Sequence, residues 1–109
     1  MAEVFADPEV VFAALADARR RELLDLLAGG PGASAAGLAA ALPISRQAVA
    51  QHLAVLEEAR LVSRRRAGRH VLFTVRPDGL TAAAGWLTKR AASCRAQINP
   101  ADQEKDPLL

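Results

Sequence analysis

The segment LAAALPISRQAVAQHLAVLEEARLV, residues 38–62, holds two helical patterns separated by Pro43 and Ile44. Pro43 ends the first, because proline disfavours a helical conformation in the residue before it. Ser45 then stands as the N-cap of a second helix running to about Ala59. Val49, Leu53 and Leu56 recur at helical steps and mark its buried side. Helix, short turn, helix is the spacing of a helix-turn-helix. The opposite face of the second helix collects Arg46, Gln47, Ala50, Gln51 and Ala54. Arginine can donate two hydrogen bonds to guanine O6 and N7, glutamine can pair with adenine N6 and N7, and alanine admits close approach and a thymine methyl. Ser45, Arg46, Gln47, Ala50 and Gln51 are therefore candidate DNA contacts. A polar helix face is ordinarily only a solvated one; the capped helix before it and the basic segment after it weigh against that reading here. Glu57 and Glu58, which phosphate would repel, belong where the helix leaves the groove.

Downstream, LVSRRR (61–66) and HVLFTV (70–75) flank AGR, and the second run alternates Val71, Phe73 and Val75 against His70, Leu72 and Thr74. Both read as strands of a hairpin, a wing over residues 62–76, closed by Pro77-Asp78-Gly79. Arg64, Arg65, Arg66 and Arg69 lie around its turn, placed to reach phosphates or a minor groove. Strand alternation prevents all of them from facing one way. Arg66 and Arg69 rank ahead of Arg64 and Arg65. A charge run by itself is more often a solubilising surface. From Leu80 the series Leu80, Ala84, Leu87, Ala91, Cys94, Ile98 steps by four and three, an a/d seam that asks for a helical partner. The chain turns polar from about Asn99, with Pro100 and Pro107, and a mobile tail is expected over 99–109.

Upstream, Asp7 caps a helix with Pro8 at its first position and Val11, Phe12 and Leu15 as its stripe. Asp17 caps a second, bearing Leu23, Leu24 and Leu27, and Gly-Gly-Pro-Gly at 29–32 breaks it. Ser34 caps the third. The expected architecture is mainly α with a small β-hairpin, four helices, two strands and a last helix, in one DNA-binding and dimerisation domain over 1–98.

The net charge is only +2, so distribution matters more than the total. Ser45 to His70 carries six arginines against two glutamates, whereas the remaining residues carry eight basic and ten acidic groups. The positive charge thus sits where a polyanion would use it. A single cysteine, Cys94, excludes an intrachain disulfide and a cysteine metal cluster. No apolar run is long enough to span a membrane and no signal peptide is evident, so a reducing cytoplasm is the expected address. No Ser/His/Asp or Cys/His set, phosphate loop or paired acid suggests an enzyme, and nothing calls for a cofactor.

In order and spacing, LADARRRELLDLL (15–27), the 38–62 segment and RRRAGRHVLFTV (64–75) resemble the ArsR/SmtB winged-helix transcriptional regulators. The resemblance covers about residues 8–95, and its most specific part is S-x-x-x-V-x-x-H-L from Ser45 to Leu53. It implies a homodimer that binds double-stranded operator DNA with the fourth helix and the wing. Pairing would run through the first and last helices, which places Val11 and Phe12 with Leu80, Ala84, Leu87, Ala91 and Cys94 at the interface. Metal-sensing members carry cysteines in the third helix, or His and acidic ligands in the last. Here the third reads SAAGLAAAL (34–42) and the last offers only Cys94 after Asp78, so no usual metal site is expected. Arg60 and Pro43 stand where glycines are common, which implies altered turns.

Other readings stay open at this point. His52, on the border of the buried side, suits packing, capping or DNA contact. His70 is beside the wing. Cys94 is a small packed residue or, beside a two-fold axis, an intersubunit disulfide partner. Trp86 suits the core or the interface. Ser34 and Ser45 are caps whose hydroxyls can also meet phosphates. A protein-interaction module and a metal-responsive regulator using His52, His70 or tail carboxylates are the rival functions; the inducer, if there is one, is not legible.

Overall fold

In the computed structural model, which describes residues 7–97, the order is α1 (Pro8–Leu15), α2 (Ala18–Leu27), α3 (Ala35–Ala41), α4 (Arg46–Glu58), β1 (Val62–Ala67), β2 (His70–Val75) and α5 (Pro77–Gln97). Ile98 of the seam and the expected tail from Asn99 lie outside the described residues. Each of the first four helices begins at the side chain that the sequence nominates. Asp7 accepts from the Glu9 backbone N–H, Asp17 from Arg19 and Arg20, Ser34 from Gly37 and Ser45 from Ala48. Every cap satisfies a backbone donor left over at a helix start.

The core forms where the apolar stripes of these helices meet the base of the hairpin. Leu23, Leu53, Leu56, Leu61, Val11, Val49 and Val62 are its fully enclosed side chains. Among the described residues it holds no buried charged or polar side chain. Burying one such leucine is worth about 1.5–3 kcal/mol, so α4 is held mainly by Val49, Leu53 and Leu56.

Helix α4 ends in a Schellman motif. The Leu61 N–H donates to the Leu56 carbonyl at 2.9 Å and the Arg60 N–H to that of Glu57 at 3.0 Å. This closure needs a left-handed residue, and Arg60 adopts it with φ of 62°. Leu56 and Leu61, the positions whose apolar contact commonly accompanies the motif, are both fully enclosed.

Strands β1 and β2 pair antiparallel from Val62↔Val75 to Ala67↔His70 around the turn at Gly68 and Arg69. A third short partner, absent from the sequence reading, joins them. Ala33, just before α3, exchanges two backbone hydrogen bonds with Phe73, at 2.8 and 3.1 Å. Gly32 permits this approach, with φ of +113° and only 2.9 Å between a built Cβ position and Thr74 Cγ2. The connection between α2 and α3 therefore serves as a strap across the wing.

The segment Pro77-Asp78-Gly79 does not close the hairpin, as expected, but forms the first turn of α5. Proline suits that position because its missing N–H would be unpaired there anyway. Gly79 is buried against Leu61, whose Cδ2 would lie 3.1 Å from an added Cβ. Ala83 continues this inward face, and the Phe12 and Trp86 rings meet edge-on at 5.8 Å. Beyond it, every residue from Ala84 to Ala96 is exposed.

Candidate nucleic-acid interface

With Val49, Leu53 and Leu56 turned into the core, Arg46, Gln47, Ala50, Gln51 and Ala54 emerge on the exposed side of α4. Helical spacing alone produces this division. Ser45 sits at the start of the same face and is occupied as the cap, its Oγ 3.0 Å from the Ala48 nitrogen.

The strap and the hairpin bring the wing alongside the start of α4. Between them lies an open cleft of about 280 Å³, lined by Ser34, Ala35, Ala36, Arg46, Arg64, Arg69, His70, Val71 and Phe73. Three guanidinium groups and a histidine thus surround one concavity, a setting suited to an anion. His70 and the start of α3 join the basic residues here.

The wing arginines separate by strand register. Arg64 opposes Phe73 and Arg66 opposes Val71, so both share the face turned towards the helices; Arg65 opposes Leu72 on the other face. Arg64 is engaged: its Nη2 lies 2.7 Å and its Nε 3.0 and 3.1 Å from the Glu57 carboxylate, and its guanidinium stacks 5.2 Å from the Phe73 ring centre. These hydrogen bonds, more than the carboxylate charge alone, raise the arginine's already high pKa. Glu57 therefore does more than avoid phosphate. It pairs with Arg64, itself exposed, and leaves Arg65, Arg66 and Arg69 as exposed wing arginines without that carboxylate.

His52 is half-buried, and behind it lies a cluster that spacing could not reveal. Arg20 Nη1 is 3.4 Å from His52 Nδ1, while Arg20 Nε donates to the Ala14 carbonyl at 2.6 Å and Nη2 to that of Ala13 at 3.4 Å. Arg21 Nη1 donates to the Leu15 carbonyl at 2.6 Å. Two consecutive arginines of α2 thus cap the last carbonyls of α1. The Asp17 carboxyl is held below its ordinary pKa, chiefly by the backbone N–H of Arg19; desolvation opposes this, and the Arg20 N–H and the charges of His52 and Arg20 add to it.

The residues assigned to pairing divide in two. Ala84, Leu87, Ala91 and Cys94 lie exposed along α5, Leu87 with 52% of its surface open, and Leu80 is half-buried at the root of the helix. Phe12 is half-buried against Trp86. Val11 offers no surface at all: it is enclosed next to Gly79 and Leu61, and so supports α1 from within the chain. Among the described residues no three His, Cys, Asp or Glu side chains converge as metal ligands would. Among them, too, no helix is long and apolar enough to cross a membrane.

Residues 15–65 match the family model described as a helix-turn-helix domain. The chain is 46% identical over 78 residues, 72% of each sequence, to the HTH-type transcriptional regulator Rv2034 of Mycobacterium tuberculosis. It is 32% identical over 77 residues to the transcriptional repressor SdpR of Bacillus subtilis, covering 71% of this chain and 84% of that one. The solved ArsR-like transcriptional regulator from Rhodococcus sp. RHA1 superposes with a TM-score of 0.80 at 35% identity, over 87% of this chain and 86% of the other.

Proposed function

The chain belongs to the ArsR family of winged helix-turn-helix transcriptional regulators, and from that premise we propose that it is a homodimeric, cytoplasmic repressor of an imperfectly palindromic operator. One observation carries this reading: the exposed Arg46, Gln47 and Gln51 stand on a helix whose other side is fixed in the core, next to a cleft rimmed by Arg64 and Arg69. Arg46, Gln47, Ala50 and Gln51 read base edges in the major groove. Arg66 and Arg69 hold the backbone, which supplies affinity without sequence preference. The exposed Leu87, Ala91 and Cys94 along the outer half of α5 support pairing through that helix. A two-fold pair presents its reading helices to half-sites about 34–36 Å apart or a multiple of that, which is why the operator is a palindrome. Repression is the sign suggested by the relative named as a transcriptional repressor.

Selection of bound duplexes from a random-sequence pool tests this directly. Enrichment of a palindrome, with Arg46→Ala and Gln51→Ala each weakening its binding by about 1–3 kcal/mol, is the expected result. Full binding of the enriched duplex by both variants would remove α4 as the reading element.

A further inference from the structure

We propose that Arg20 is a positioning residue for DNA recognition: it ties the recognition helix to the end of α1 and fixes His52 as the neutral Nε2–H tautomer, presenting that N–H to the base edges of the operator as a donor. The proposal rests on the DNA-binding reading above.

The chemistry is one of donors and acceptors. A guanidinium has five N–H donors and no acceptor. A hydrogen bond between Arg20 Nη1 and His52 Nδ1, 3.4 Å apart, therefore requires Nδ1 to be the unprotonated nitrogen. The proton of a neutral imidazole then has only Nε2 left to occupy. The same guanidinium is itself fixed, since Nε and Nη2 hold the Ala14 and Ala13 carbonyls and the Asp17 carboxylate stands 3.8 Å from Nη1. The Arg20 side chain is only 17% exposed, so its packing restricts where these donors can point. Asp17 and Arg20, both at the start of α2, are the charged groups facing His52. His52 follows Gln51 on the margin of the reading face, which puts a donor of fixed direction beside the base-reading side chains. Such an arrangement resembles the way a histidine's second nitrogen is oriented by a partner behind it in other sites.

Two measurements test this. Long-range proton–nitrogen correlation at about pH 9, well above the ordinary imidazole pKa of about 6.5, reads the tautomer in the parent chain, with His70→Gln identifying the signals. The expected result is Nε2–H for His52, shifting towards a mixture in Arg20→Lys, whose single ammonium cannot hold both carbonyls and the ring. A parent His52 in the Nδ1–H form overturns the proposal. The second measurement compares a duplex enriched by the parent chain with a scrambled duplex of equal length. Arg20→Lys is expected to lose about tenfold on the enriched duplex, the size of one specific contact, and nothing on the scrambled one. Equal loss on both, or loss on neither, overturns it. Should Arg20→Lys fail to fold, His52→Gln, which keeps an acceptor and a donor, is expected to bind near parent level while His52→Leu does not; equal binding by the two overturns the proposal. If the parent enriches no duplex, the reading of function falls too, whereas enrichment with the wrong tautomer leaves that reading standing.

Discussion

Arg60→Gly should stabilise the folded chain. Arg60 occupies the left-handed position that closes the Schellman motif of α4, with φ of 62°. A residue with a Cβ carries about 1–2 kcal/mol there that glycine does not. Glycine gives back about 0.5–1 kcal/mol through the larger freedom of its unfolded chain. A surface cation near a helix C-terminus is worth another 0.3 kcal/mol or so, lost with the arginine. The net gain is about 0.5 kcal/mol, or roughly 2–4 °C in melting temperature for a domain of this size. Thermal and urea unfolding at one protein concentration, compared with Arg60→Ala, would measure it; fixed concentration matters because the proposed pairing would make stability depend on it. Alanine keeps the Cβ and loses the charge, so Arg60→Ala should be no more stable than the parent. If Arg60→Gly gained nothing over Arg60→Ala, the left-handed arginine would not be strained and the reasoning would fail.

Arg69→Ala should weaken binding to all duplexes alike and reduce the salt slope by about 0.9, one phosphate's worth, measured by titration across salt concentrations; a loss confined to one sequence would make Arg69 a base contact. Leu87→Asp should weaken self-association by at least about 2 kcal/mol, roughly thirtyfold in Kd, because a two-fold interface loses the side chain twice; sedimentation showing an unchanged dimer would place the interface elsewhere. Asp17→Asn keeps a capping oxygen and removes the charge. Since the Asp17 carboxyl is depressed in the folded state, its contribution is present above the unfolded value of about 3.9 and vanishes as pH falls through the folded one. The stability gap between the parent and Asp17→Asn should therefore close in acid, and a gap independent of pH would show that the charge is not the cause.

What was legible in the sequence was local. Asp7, Asp17, Ser34 and Ser45 cap helices because the side chain and the donor it meets are two or three residues apart. The alternation around Phe73 and the stripe through Leu53 needed only a strand and a helix period. Pro77-Asp78-Gly79 reads as a turn in sequence because turn composition and a helix's first turn use the same residues; Leu61, which crowds Gly79, lies far back in the chain. Arg64 was ranked without its partner, since seven residues and an intervening turn separate it from Glu57. Nor could spacing join Arg20 to His52, 32 residues apart, from within a run of three arginines that look alike.

The strap between Ala33 and Phe73 bears on how such a regulator is switched. A hairpin hung from one helix end is a flap, free to bend without disturbing what lies beside it. Stitched to the entry of α3, the wing shares its frame with the helix-turn-helix, and each half of the proposed pair is a rigid calliper jaw. A change in the proposed pairing along α5 then has no need to unfold or loosen either jaw. It need only change the gap between the two, and a duplex with fixed helical pitch would sense a few ångströms.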